Sequence, residues 1–77
     1  MIAKWQEANA LNHYLQVSGG ITAEVKRLPK EGAMWVPYVC GIPLPPSTYK
    51  GDLHDAIEFT TEALREHLQS ALAKLSR

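Results

Sequence analysis

Three histidines, one cysteine and a row of carboxylates are the residues of this chain that could carry chemistry. His54 and Glu58 stand four residues apart, one helical turn, close enough to form an acid–base pair or to offer two ligands to a metal. Metal centres take three or four convergent ligands, and the sequence contains no CxxC or HxxxH pair to complete such a set. The pair therefore reads as a surface contact, with no metal and no cofactor expected. His13 borders Tyr14 and reads as packing or solvent, and His67 sits beside a leucine row as a half-buried histidine. Cys40 lies in an apolar run with no nucleophile motif around it, which suits a buried thiol better than a reactive one. Phosphate loops, dinucleotide fingerprints and nucleophile elbows are missing, so no catalytic residue is assigned and no enzymatic activity is expected.

The carboxylates are more informative. Asp55, Glu58, Glu62 and Glu66 recur at spacings of three, four and four, which places them along one side of a helix. Like charges at these spacings repel by about 0.2–0.5 kcal/mol per pair. Asp55 and Glu58 recover part of that from the positive helix N-terminus, whereas Glu62 and Glu66 lie too far along. Arg65 can pair with Glu62 and still leave the ridge negative. A solvated face accounts for such a row. So does a docking strip for a basic protein surface, and Phe59 beside the strip supplies the aromatic anchor that interfaces use. The competing reading buries Ala56, Phe59 and Ala63 as a second flank of the core.

The helix that must carry this strip begins at the step Gly51-Asp52, where the aspartate is a strong N-cap, and runs from Leu53 to about Leu75. Its other side presents Leu53, Ile57, Thr61, Leu64, Leu68, Ala71 and Leu75, alternating by four and three like a short heptad seam. Such a helix spans roughly 35 Å, whereas a compact chain of this size is about 30 Å across. The last turns should overhang, and a homodimer through Leu64, Leu68, Ala71 and Leu75 is the expected way to cover them. The alternative folds a first, N-terminal helix back over the seam within one chain, with Trp5 and Leu11 covering it.

Upstream, residues 2–16 place Trp5, Ala8, Leu11 and Leu15 at three- and four-residue spacings, which predicts a first helix ended by Ser18-Gly19-Gly20. "ITAEVKRL" alternates Ile21, Ala23 and Val25 with polar residues and predicts a strand. "PKEG" at residues 29–32 is a turn, and residues 33–40 form a second strand in which Pro37 demands an edge or a bulge. Pro43, Pro45 and Pro46 keep residues 41–47 extended, and "STYK" offers a short third strand. The expected fold is one α+β domain over residues 1–77, a small antiparallel sheet of two to three strands with an N-terminal and a long C-terminal helix in the order α-β-β-(β)-α.

Seventy-seven residues bury a marginal core, and one cysteine rules out an internal disulfide, so self-association or a protein partner is the expected support. With no secretory or membrane-spanning stretch and a single thiol, the expectation is a cytoplasmic protein without a membrane partner. Formal net charge is zero, but residues 1–51 carry five basic and three acidic side chains, and residues 52–77 carry five acidic and three basic.

Over residues 21–68, "MWVPYVCGIPLP" and "YKGDLHDAIEFTTEAL" resemble the N-terminal domain of HicB-type antitoxins, with Trp35, Pro43, Gly51, Asp52, Ala56, Ala63 and Leu64 at comparable places. The threonine that usually follows Gly-Asp in that family is missing, and no DNA-binding domain follows, so DNA autoregulation is not implied. What the resemblance implies is neutralisation of a basic protein, such as an RNA-cleaving toxin, by masking. The same acidic strip would serve a phage-type antidefence inhibitor of a nucleic-acid enzyme. The predicted element order also looks like a double-stranded-RNA-binding domain, with Lys26, Arg27, Lys30 and Lys50 as phosphate contacts. Asp52, Asp55 and Glu58, however, stand where such domains carry lysines.

Overall fold

In the computed structural model, residues 4–28 and 33–75 are described. Five strands, β1 (Gln6–Asn9), β2 (Asn12–Ser18), β3 (Ile21–Leu28), β4 (Met34–Val39) and β5 (Ile42–Pro43), form one antiparallel meander in sequence order. A single helix, α1 (Leu53–Leu75), follows and packs on one face. This corrects the expected N-terminal helix and the two-to-three-stranded sheet: the described part of residues 2–16 is β1 and β2.

The physical reason lies in a turn and a parity. Asn9 accepts the Leu11 N–H with its Oδ1 at 2.8 Å, an Asx turn that reverses the chain inside the predicted helix. Beyond it, β2 alternates. His13 pairs with Val25 and Leu15 with Ala23 on the helix side, while Tyr14 and Gln16 face away. The three-and-four spacing of Trp5, Ala8, Leu11 and Leu15 does not mark a common face, because Trp5 precedes β1 and Leu11 lies in the turn. Gly19-Gly20 closes the β2–β3 hairpin rather than a helix.

The strands expected at residues 21–28 and 33–40 are β3 and β4, joined through residues 29–32; the turn expected there lies outside the described residues. Pro37 directs its carbonyl to the Leu44 N–H at 3.0 Å, so its missing donor falls on the β5 side, where the ladder is only two residues long. Cys40 (φ 52°) and Gly41 (φ 82°) are both left-handed and make the two-residue turn into β5, a short edge strand within the stretch expected to be extended. "STYK" forms no strand of its own. Pro46–Thr48 is a single 3-10 turn, and Lys50 makes an isolated bridge to Trp35.

The core lies between α1 and the strands β2 to β4. One cluster joins Leu15, Ala23, Val39 and Leu64, and the other joins Val25, Trp35 and Ala56. Trp5 packs against both and donates its Nε1–H to Thr61 Oγ1 at 2.9 Å. Ala23, Val25, Ala56 and Thr60 have no exposed area, so small side chains on both layers let the helix settle close to the sheet. The Thr60 hydroxyl is satisfied by donating to the Ala56 carbonyl at 2.6 Å. The buried line of the helix is thus Ala56, Thr60 and Leu64. Of the leucine side expected to face the core, Leu64 is buried there and Leu53, Ile57 and Leu68 pack at its edge, whereas Ala71 and Leu75 are exposed.

Candidate functional site

The outward face of α1 is the candidate site. The backbone carbonyl of Asp52 accepts the Ala56 N–H, the bond that opens the helix, and Asp55 lies in the first turn. With Ala56, Thr60 and Leu64 fixed against the sheet, helical periodicity turns Asp55, Glu58, Glu62 and Glu66 to solvent, and all four are exposed. The structure therefore brings the four predicted carboxylates onto one surface. Glu58 meets His54 Nε2 at 2.8 Å, and Glu62 accepts from Arg65 Nη1 at 2.6 Å. Asp55 and Glu66 make no ion pair among the described residues.

Phe59 is half-buried beside this row. The Lys50 ammonium lies 4.8 Å from its ring centroid, a cation–π contact that sequence reasoning had no means to find. What places Lys50 there is its backbone pairing with Trp35, through bonds of 2.6 and 3.1 Å, and that pairing is non-local. Lys50, Asp55, Glu58, Phe59 and Glu62 line one shallow, open depression on the helix. An aromatic ring beside a row of carboxylates, with Lys50 already on the ring, is a surface suited to hold Lys or Arg side chains. It lacks the enclosure that orients a small substrate. The other reading of Phe59, a flank buried with Ala56 and Ala63 against a first helix, has no first helix to pack on.

The remaining candidates are scattered. His13 stacks edge-on to Trp35 at 5.5 Å, Cys40 is half-buried at the β4–β5 turn, and His67 is exposed rather than half-buried. Among the described residues no three His, Cys, Asp or Glu side chains are grouped to share a metal. Of the basic residues weighed for RNA, Arg27 and Lys50 both pair with Trp35 and share the α1 side, whereas Lys26 lies on the other face. Lys26 lies over the Tyr38 ring at 5.0 Å, with Glu24 at 4.0 Å, on the face of the sheet opposite α1. Lys50 lies at the helix, and Lys30 is outside the described residues.

The seam residues expected at a dimer interface divide into two groups. Leu64 is buried in the chain's own core and Leu68 is half-buried, whereas Ala71 and Leu75 are exposed. No described helix is long and apolar enough to cross a membrane. No family model, curated protein or solved structure matches this chain, so the site rests on its own geometry.

Proposed function

We propose that this chain is a non-enzymatic protein-binding module that docks the acidic face of α1 on a basic protein surface. The observation that carries this reading is the exposure of Asp55, Glu58, Glu62 and Glu66 together on one rigid face, with half-buried Phe59 beside them. A basic partner satisfies the repulsion along the row, beside the Phe59 ring that carries Lys50. The resemblance of residues 21–68 to HicB-type antitoxins supports a neutralising role, with an RNA-cleaving toxin or another basic nucleic-acid enzyme as the target. Masking of such an enzyme also fits an antidefence inhibitor, and the identity of the captured partner separates the two.

The test is the double substitution Glu58→Lys with Glu62→Lys, titrated against the partner isolated by affinity capture. Because both positions are exposed, the far-UV circular dichroism should be unchanged. Affinity should fall by about 10-fold or more, and the remaining binding should lose its sensitivity to salt. An unchanged affinity removes the strip from the mechanism. Duplex and single-stranded RNA are titrated in parallel at low salt. Tight binding with a steep salt dependence would favour the nucleic-acid reading over this one.

A further inference from the structure

Among the described residues, four of the five large apolar side chains that stand exposed, Val17, Ile42, Leu72 and Leu75, lie toward one pole. Val17 ends β2 and Ile42 begins β5, both at the end of the sheet over which the C-terminal half of α1 projects. The reason is the roll of the helix. Packing through Ala56, Thr60 and Leu64 directs Leu68, Leu72 and Leu75, spaced four and three, to the flank above β2. Trp5 covers that flank as far as Thr61. Leu11 cannot extend the cover, because its carbonyl accepts from Arg27 N–H at the opposite end of the sheet. Beyond it lies an apolar groove lined by Leu15, Val17, Leu64 and Leu68.

We propose that this pole is a homodimer interface. The overhanging ends of two α1 helices pack across a two-fold axis, each laying Leu68, Leu72 and Leu75 against its copy and against the copy's Val17. The surface area is of the size that a second copy would cover. A folded monomer of this mass exposes about 4,700 Å², whereas this chain exposes 5424 Å². The surplus, roughly 700 Å², approaches the ~800 Å² that each partner contributes to a standard interface. Shape agrees with area. The extents are 43 × 28 × 17 Å, and the radius of gyration is 12.8 Å, against about 11.5 Å for a compact chain of this length. Ala71, exposed between Leu68 and Leu75, leaves a hole into which a partner leucine can fit as a knob. The outer face of the sheet is the competing surface. There Tyr14, Gln16, Thr22, Glu24 and Lys26 present the polar half of the strand alternation, and the apolar residues sharing that face, Leu28, Met34, Val36 and Tyr38, are buried or half-buried rather than exposed.

The test is sedimentation equilibrium of the full chain across about 1–100 μM, for the wild type and for Leu72→Glu with Leu75→Glu. The wild type should reach twice the monomer mass of 8.6 kDa. The exposed positions of the two substitutions leave the monomer's circular dichroism intact, and the dimer should weaken by about 100-fold or more. Glu58→Lys with Glu62→Lys should leave the dimer unaffected, which keeps this result separate from the acidic-strip reading. A wild type that stays at monomer mass throughout, a dimer indifferent to the leucine substitutions, or open-ended growth beyond two copies would each overturn the proposal.

Discussion

The β4–β5 turn shows how one residue's backbone conformation sets a local energy. Cys40 and Gly41 both hold positive φ, and the Cys40 N–H donates to the Thr22 carbonyl at 2.7 Å, extending the β3–β4 pairing to the very end. An ideal Cβ on Gly41 would meet nothing within 4 Å, so only the dihedral opposes a side chain there. Gly41→Ala should therefore cost about 1 kcal/mol in chemical denaturation, the penalty of a left-handed residue with a Cβ. Gly19 supplies the control. Its surroundings are equally open and its φ is not positive, so Gly19→Ala should stay within about 0.5 kcal/mol of the wild type. Equal losses at the two positions would show that the left-handed dihedral of Gly41 does not set the cost.

For the elements, the decisive contact is the close approach of α1 to the sheet. Ala56 and Ala23 are completely buried on facing layers, and Thr60 continues the same line along the helix. This line sets both the depth and the roll of the helix, and the roll decides which side chains reach solvent. Ala56→Leu should destabilise the fold by about 1–3 kcal/mol, because a well-packed core accepts added volume only by moving the helix away. Thermal or denaturant unfolding reads this directly. A neutral result would show that the helix can roll, and the exposed face described above would then not be fixed.

As a whole molecule, the protein is a sheet with a helix on one face, and the helix is longer than the sheet it covers. Small domains of this size carry little stability to spare, so an interface that forms only in the folded state contributes a large share of it. The proposed dimer therefore makes stability depend on concentration. The thermal midpoint of the wild type should rise steadily between micromolar and hundred-micromolar chain, and that of Leu72→Glu with Leu75→Glu should not move. A wild-type midpoint independent of concentration would count against association at the pole. The acidic faces lie on the outward side of each helix, away from the core line, and remain open to partners in either state.

Local pattern by itself determined the C-terminal helix, the hairpin of β3 and β4 and the grouping of the four carboxylates. Each depends on periodicity within one segment: 3.6 residues per turn over residues 53–75 and two over residues 21–28. The N-terminal segment was illegible because its spacing fits a helix by coincidence, and only pairing with β3 makes its alternation meaningful. The roll of α1 was equally hidden. Counting leucines centres the buried face on the seam, whereas the contact with Ala23 and Val25 centres it on Ala56, Thr60 and Leu64, of which only Leu64 belongs to the seam. Lys50 reaches Phe59 through a bridge to Trp35, fifteen residues upstream, and Val17 joins Leu68 across more than fifty. These are relations between segments distant in sequence. Periodicity tells which side of a segment is apolar, but only the packed structure decides what meets it and which part of it stays in water.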